Sequence, residues 1–196
     1  MIKIKNLYKS FQDELVLENV SFSIDEKGIT AIKAVYGSGK TTLINILLGL
    51  IESDSGEIIN LPSEISVVFQ EDRLIECIKP SDNILLCNND VKRIQAINFL
   101  ENIGISDDKV VGELSGGMKR RVALARAMMH KAKFLILDEP FYGIDVENKQ
   151  NIMKLIEEIA KEKSILLITH DERDIEYFGL NKKQIVGKFV ISRADV

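Results

Sequence analysis

The 196-residue chain sets 26 lysines and arginines against 30 aspartates and glutamates, for a net charge of −4, and 45 % of it is hydrophobic. That is apolar surface enough for one domain, and with no basic run to track a phosphate backbone the composition argues against nucleic-acid binding. Cys77 and Cys87 lack metal-ligand spacing and read as buried or incidental thiols of a reducing compartment; the opening MIKIKNLYKS lacks the apolar core of a signal peptide, and no apolar run is long enough to span a bilayer, so any membrane crossing falls to a separate chain.

Alternating apolar residues predict strands over residues 2–4 and 15–24, and Gly28 turns the chain into a third at 29–32. A glycine-bearing loop and a helix over about 40–48 follow. Residues 53–56 read as a turn, and 57–60 and 65–69 as strands. From 71 to about 112 the pattern changes: Ile94, Ile97, Leu100 and Ile103 have helical spacing, which suggests a small helical subdomain. A helix over 117–130 carries Arg120, Arg121 and Arg126, read as a solvated face, with His130 at its C-terminal end, where positive charge is favourable. Residues 134–137 are a continuous apolar strand, 145–161 a helix, 165–169 another buried strand, and the tail a hairpin about Gly187 and Lys188. Strands alternating with helices imply an α/β domain with a mostly parallel sheet.

Gly37-Ser38-Gly39-Lys40-Thr41-Thr42 lies between a predicted strand and a helix, the setting a phosphate loop requires. Glycines let backbone N–H groups approach phosphate oxygens, and the helix adds its positive end. Lys40 suits the β- and γ-phosphates, the Thr41 hydroxyl suits Mg²⁺, and Thr42 can add a phosphate hydrogen bond. The full pattern has glycine six residues before the lysine, where this chain has Ala34, and Lys33 stands where a buried strand normally ends in an apolar residue. Downstream, Asp138 and Glu139 follow four apolar residues, at the strand end where open α/β sheets bind ligands. Asp138 suits Mg²⁺ directly or through water, and Glu139 suits a general base acting on water.

With those two motifs in place, Leu114-Ser115-Gly116-Gly117-Met118-Lys119-Arg120-Arg121 and its continuation Val122-Ala123-Leu124-Ala125-Arg126-Ala127 resemble the signature of ABC transporter ATP-binding subunits. Gln70 resembles that family's Q-loop, Tyr142-Gly143-Ile144-Asp145 its D-loop, and Thr169-His170-Asp171 its switch histidine; Phe11 falls where the family stacks an aromatic on adenine, with Tyr8 a nearby rival. Residues 69–75 and 139–141 look like importers of nitrate, sulfonate or taurine-like solutes.

The resemblance implies a P-loop NTPase spanning residues 1–196: a mostly parallel sheet, an N-terminal antiparallel β subdomain, and a small α-helical subdomain at about 71–112. It implies ATP and Mg²⁺ as ligands, with Lys40, Glu139 and His170 in catalysis and Thr41, Gln70 and Asp138 around the metal. It implies a second ABC ATPase subunit, identical or paralogous, whose nucleotide is met by Ser115, Gly116, Gly117 and Asp145. Taken alone, Ser115 and Asp145 read as helix N-caps. A transmembrane permease would hold the chain at the inner face of the cell membrane, in the cytoplasm. Two other readings stand beside this one: a nucleotide-binding subunit with weakened hydrolysis, resting on Lys33, Ala34 and the bulky Val35-Tyr36, and a soluble ABC-type protein without a channel.

Overall fold

Strand pairing divides the chain between two sheets. The computed structural model describes residues 1–12, 14–34, 37–180, 182–186 and 188–193. In the smaller sheet β1 (Ile2–Phe11) lies between β2 (Glu14–Ile24) and β4 (Ser55–Ile59), antiparallel to both. The larger has the order β5-β6-β7-β3-β9-β8, formed by β3 (Gly28–Ala34), β5 (Ile65–Val68), β6 (Phe134–Asp138), β7 (Ser164–Thr169), β8 (Lys182–Val186) and β9 (Phe189–Arg193). Its β5, β6, β7 and β3 are mutually parallel, and the tail hairpin adds β9 antiparallel to β3.

The strand period of two explains the core. Phe134, Ile136, Leu166, Ile168 and Ile32 face one side, with Leu43, Ile44 and Leu47 of α1 (Lys40–Leu47) and Ile4, Leu17 and Ile24 of the small sheet. Leu135, Leu137, Ile165 and Leu167 face the other, with Val122 and Leu124 of α4 (Gly116–Met128) and Ile152 and Ile156 of α5 (Val146–Ala160). Every residue of β6 and β7 is buried, so the strands carry the unbroken apolar runs 134–137 and 165–168. Because β3, β5, β6 and β7 run the same way, their carboxyl ends share one edge. That edge receives the loop before α1, Gln70, the Asp138-Glu139 pair and His170.

Between β5 and α4 lie α2 (Pro80–Leu85), which starts on proline, and α3 (Arg93–Asn102). Ala96, Leu100 and Ile103 join the α4–α5 core cluster, whereas Ile94, 60 % exposed, does not. α6 (Glu172–Tyr177) follows β7, and six residues are too few for a periodic signal in the sequence.

Other expectations need correction. β1 runs on to Phe11, and Ser55 and Gly56 belong to β4 rather than a turn. Both cysteines are exposed. Nδ1 of His130 accepts a hydrogen bond from the Ala132 N–H, and it is Lys163 that brings positive charge to the α4 C-terminus, donating to the Met128 and His130 carbonyls. The tail hairpin forms, with Gly187 outside the described residues. The largest error concerns the arginines. Arg120 and Arg121 are 3 % and 8 % exposed, and Arg126 is half-buried, because their guanidinium groups turn inward onto backbone carbonyls.

Candidate active site

The loop between β3 and α1 is shaped for an anion. Gly39 occupies the N-cap of α1 at φ 95°, where a side chain is strained, and no side chain caps the helix. A Cβ on Gly39 would stand 2.9 Å from Leu17 Cδ2, so the loop lies tight against β2. The first N–H groups of α1 therefore point, without side-chain partners, toward the edge where the parallel strands end. Gly37 has φ 76°, and Ser38 is buried with an Oγ that lacks a hydrogen-bond partner. Thr41 is exposed and Thr42 half-buried on the first turn.

Lys40 reaches across to the acidic pair, its Nζ 3.1 Å from Glu139 Oε1. The other carboxylate oxygen of Glu139 lies 2.8 Å from His170 Nδ1, so one carboxylate joins three parts of the chain. Glu139 follows β6, its N–H still donating to the Ile168 carbonyl, and its φ of 46° is a left-handed conformation costing roughly 1–3 kcal/mol. Asp138 has the parity of Phe134 and Ile136, which turns it toward α1. It is 6 % exposed, and its Oδ1 has no hydrogen-bond partner. Burial pushes its carboxyl above the usual range, with Lys40 pulling the other way and Glu139 adding to the rise. A buried carboxylate oxygen left unpaired is a place for a cation. Among the described residues no group of three His, Cys, Asp or Glu could hold a metal ion, so an ion here would draw on other oxygens.

The remaining predicted residues lie around this centre rather than in contact with it. Gln70 is exposed just beyond β5. Ser115 is the N-cap of α4, accepting from the Met118 N–H at 3.3 Å. A Cβ on Gly117 would stand 2.4 Å from the Gly143 carbonyl oxygen, which explains the glycine, while Gly116 faces open space. Asp145 caps α5, holding the Asn148 N–H at 3.0 Å and its side-chain amide at 2.8 Å, and those bonds keep its pKa low. Phe11 is 46 % exposed at the end of β1, with the Lys9 ammonium 5.4 Å from its ring centre; Tyr8 is half-buried. Ala34 is the last residue of β3, paired with Phe189 in extended backbone, so no left-handed strain falls on it. Val35 and Tyr36 lie outside the described residues. Lys33 forms a 2.8 Å ion pair with Glu172.

Two side chains, Lys149 and Asp174, went unread in the sequence, and Arg120 does not lie on the solvated face expected of it. Lys149 and the buried Asp174 form an ion pair beside Thr169, lining with Glu139 and His170 an open cleft. Burial raises the pKa of Asp174. Arg120 gathers the loops at the ends of β5 and β6.

A parallel sheet with a glycine-bounded loop before a helix, and a strand-end acidic pair facing that loop, defines a P-loop nucleotide-hydrolysing domain. The family model described as ABC transporter matches residues 17–142. The chain is 32 % identical to the phosphonates import ATP-binding protein PhnC of Wolinella succinogenes, over 87 % of this chain and 74 % of that one. It is 32 % identical to the aliphatic sulfonates import ATP-binding protein SsuB 2 of Rhodococcus jostii, over 87 % and 72 %, and 30 % identical to the putative hemin import ATP-binding protein HrtA of Staphylococcus aureus, over 89 % and 90 %. Among solved structures, a dimeric bacterial ABC transporter cassette superposes with a TM-score of 0.77 at 26 % identity over 91 % of both chains. A dimeric post-hydrolysis ATP-binding cassette holding ADP and phosphate superposes at 0.75 and 25 %, again over 91 % of both. The chain belongs to the ABC transporter family, as an ATP-binding, ATP-hydrolysing subunit.

Proposed function

We propose that this subunit powers an importer, pairing with a second ATPase subunit around MgATP and driving a separate transmembrane permease that holds it at the cytoplasmic face of the membrane. The observation that carries the reading is the Glu139 carboxylate, bonded at once to Lys40 and His170 beside the unpaired Asp138. The import names of the relatives support the direction of transport, and residues 71–112, with their two short helices, are the segment we assign to permease contact.

In this reading the uncapped start of α1, Gly37, Ser38, Gly39 and Thr42 cradle the phosphates, and Phe11 meets the adenine. Lys40 exchanges its carboxylate partner for phosphate oxygens, which releases Glu139 to take a proton from the attacking water. His170 holds Glu139 and that water in line. Mg²⁺, when bound, supplies positive charge to the phosphate oxygens; Asp138, Thr41 and Gln70 are the residues that would hold it. The partner's copies of Ser115, Gly116, Gly117 and Asp145 would complete the second anion site. Phosphate loss then removes a link between subunits and lets them part.

Hydrolysis of MgATP by the purified chain tests this directly. Lys40→Ala should abolish both turnover and tight nucleotide binding. A Lys40→Ala chain that still hydrolyses ATP at the parental rate refutes the assignment. Recovery of a polytopic membrane protein with the tagged chain from native membranes tests the permease. The extended backbone at Ala34 removes one ground for the reading in which hydrolysis is weakened.

A further inference from the structure

Arg120 lies on the second turn of α4, yet its guanidinium is buried under the ends of two strands. Nε donates to the Pro140 carbonyl at 3.2 Å; Nη2 donates to the carbonyls of Asp138 at 2.5 Å and Glu139 at 2.8 Å. Nη1 donates to the Phe69 carbonyl at 2.5 Å and the Gln70 carbonyl at 3.4 Å, and meets Asp72 Oδ1 at 3.1 Å. One planar fork thus collects three consecutive carbonyls around Glu139 and two at Gln70. Among the described residues Asp72 is its one carboxylate partner.

An arginine that only filled space, or only paired with Asp72, would have no reason to meet this set. Glu139 sits at a left-handed φ, a conformation that persists only when its surroundings hold it. Residues 138–140 turn their carbonyls inward, and the fork of donors satisfies all three. The same fork is anchored to the Gln70 segment, so one planar group bonds the backbone of both strand ends.

We propose that Arg120 is a positioning residue for hydrolysis, fixing the backbone that aims the Glu139 carboxylate and tying that aim to the Gln70 segment; this rests on Glu139 being the general base. Lysine at 120 keeps the charge but offers one nitrogen in place of the fork. It cannot bridge the two strand ends.

The test is a double-mutant cycle on the full chain, reading kcat, KM for MgATP and the affinity for a fluorescent ATP analogue in Arg120→Lys, Glu139→Gln and the double variant. Arg120→Lys should lower kcat about ten- to a hundredfold, with nucleotide affinity held within about threefold. In the Glu139→Gln background the same change should lower the residual rate little, because the aimed group is already gone. Equal losses in both backgrounds would overturn the proposal, as would a kcat for Arg120→Lys close to the parent's. Unchanged turnover in Glu139→Gln alone refutes the underlying base assignment instead, and the positioning role falls with it. If Arg120→Lys fails to fold, Asp72→Asn leaves the guanidinium in place and loosens its Gln70 side. A severalfold drop in kcat, again absent in the Glu139→Gln background, supports the role, and an unchanged kcat refutes it.

Discussion

Neighbouring carboxyl groups at the end of β6 meet opposite environments. Glu139 has a cationic partner and a histidine within hydrogen-bond reach, whereas Asp138 Oδ1 is buried with no hydrogen bond. Burial raises the folded-state pKa of Asp138, so its contribution to stability is fully present below the unfolded pKa and is lost as pH rises through the folded value. Asp138→Asn should therefore raise the melting temperature of the nucleotide- and metal-free chain by a few degrees near neutral pH while abolishing Mg²⁺-dependent turnover. The thermal gain should shrink as pH falls through the raised pKa. A variant less stable than the parent at neutral pH would contradict this electrostatic picture. Asp171 shows the opposite sign. Its hydrogen bonds to Arg173 lower its pKa to about 2, so its stabilisation is present above the unfolded carboxylate range and is lost as pH falls through about 2. Asp171→Asn keeps the α6 cap but removes the charge. With Arg173 exposed to screening solvent, it should cost at most about 1 kcal/mol in urea unfolding at neutral pH, and nothing near pH 2.

At the scale of elements, α4 does more than its run of arginines announces. Its first turn is capped by Ser115 and pressed against the turn at Gly143, and Arg121 and Arg126 donate to carbonyls on other segments. Arg121 also reaches Asn148, the residue held by Asp145, so the signature segment and the start of α5 are joined within one chain. Gly117→Ala should lower stability by about 1–3 kcal/mol, since the obstacle is backbone that must shift; urea midpoints will show it. The strands and the phosphate-loop helix were legible because period-two burial and a glycine-bounded loop are local signals. The buried arginines were not, because an arginine's place depends on where distant strands leave their carbonyls. The sequence around 120 reads as polar whether its side chains meet water or peptide oxygens. Likewise α6 is too short for periodicity, and the pairing of Lys149 with Asp174 joins α5 to α6, which no spacing along the chain foretells.

For the whole molecule, parallel strands deliver the residues proposed for catalysis to one edge. Lys40, the Asp138-Glu139 pair and His170 come from three separate stretches of sequence, and their meeting follows from the strand order β6-β7-β3. Ser115 and Asp145 instead bond locally, as caps, which fits the proposal that their nucleotide belongs to another subunit. The decisive measurement is MgATP turnover by the full chain and its Glu139→Gln variant, with molecular mass followed by light scattering. If Glu139 is the base, Glu139→Gln should lose turnover by about a hundredfold or more, keep ATP binding, and accumulate as a dimer in MgATP. A variant that turns over ATP as fast as the parent, or one that binds ATP and remains monomeric, would contradict the mechanism at its centre.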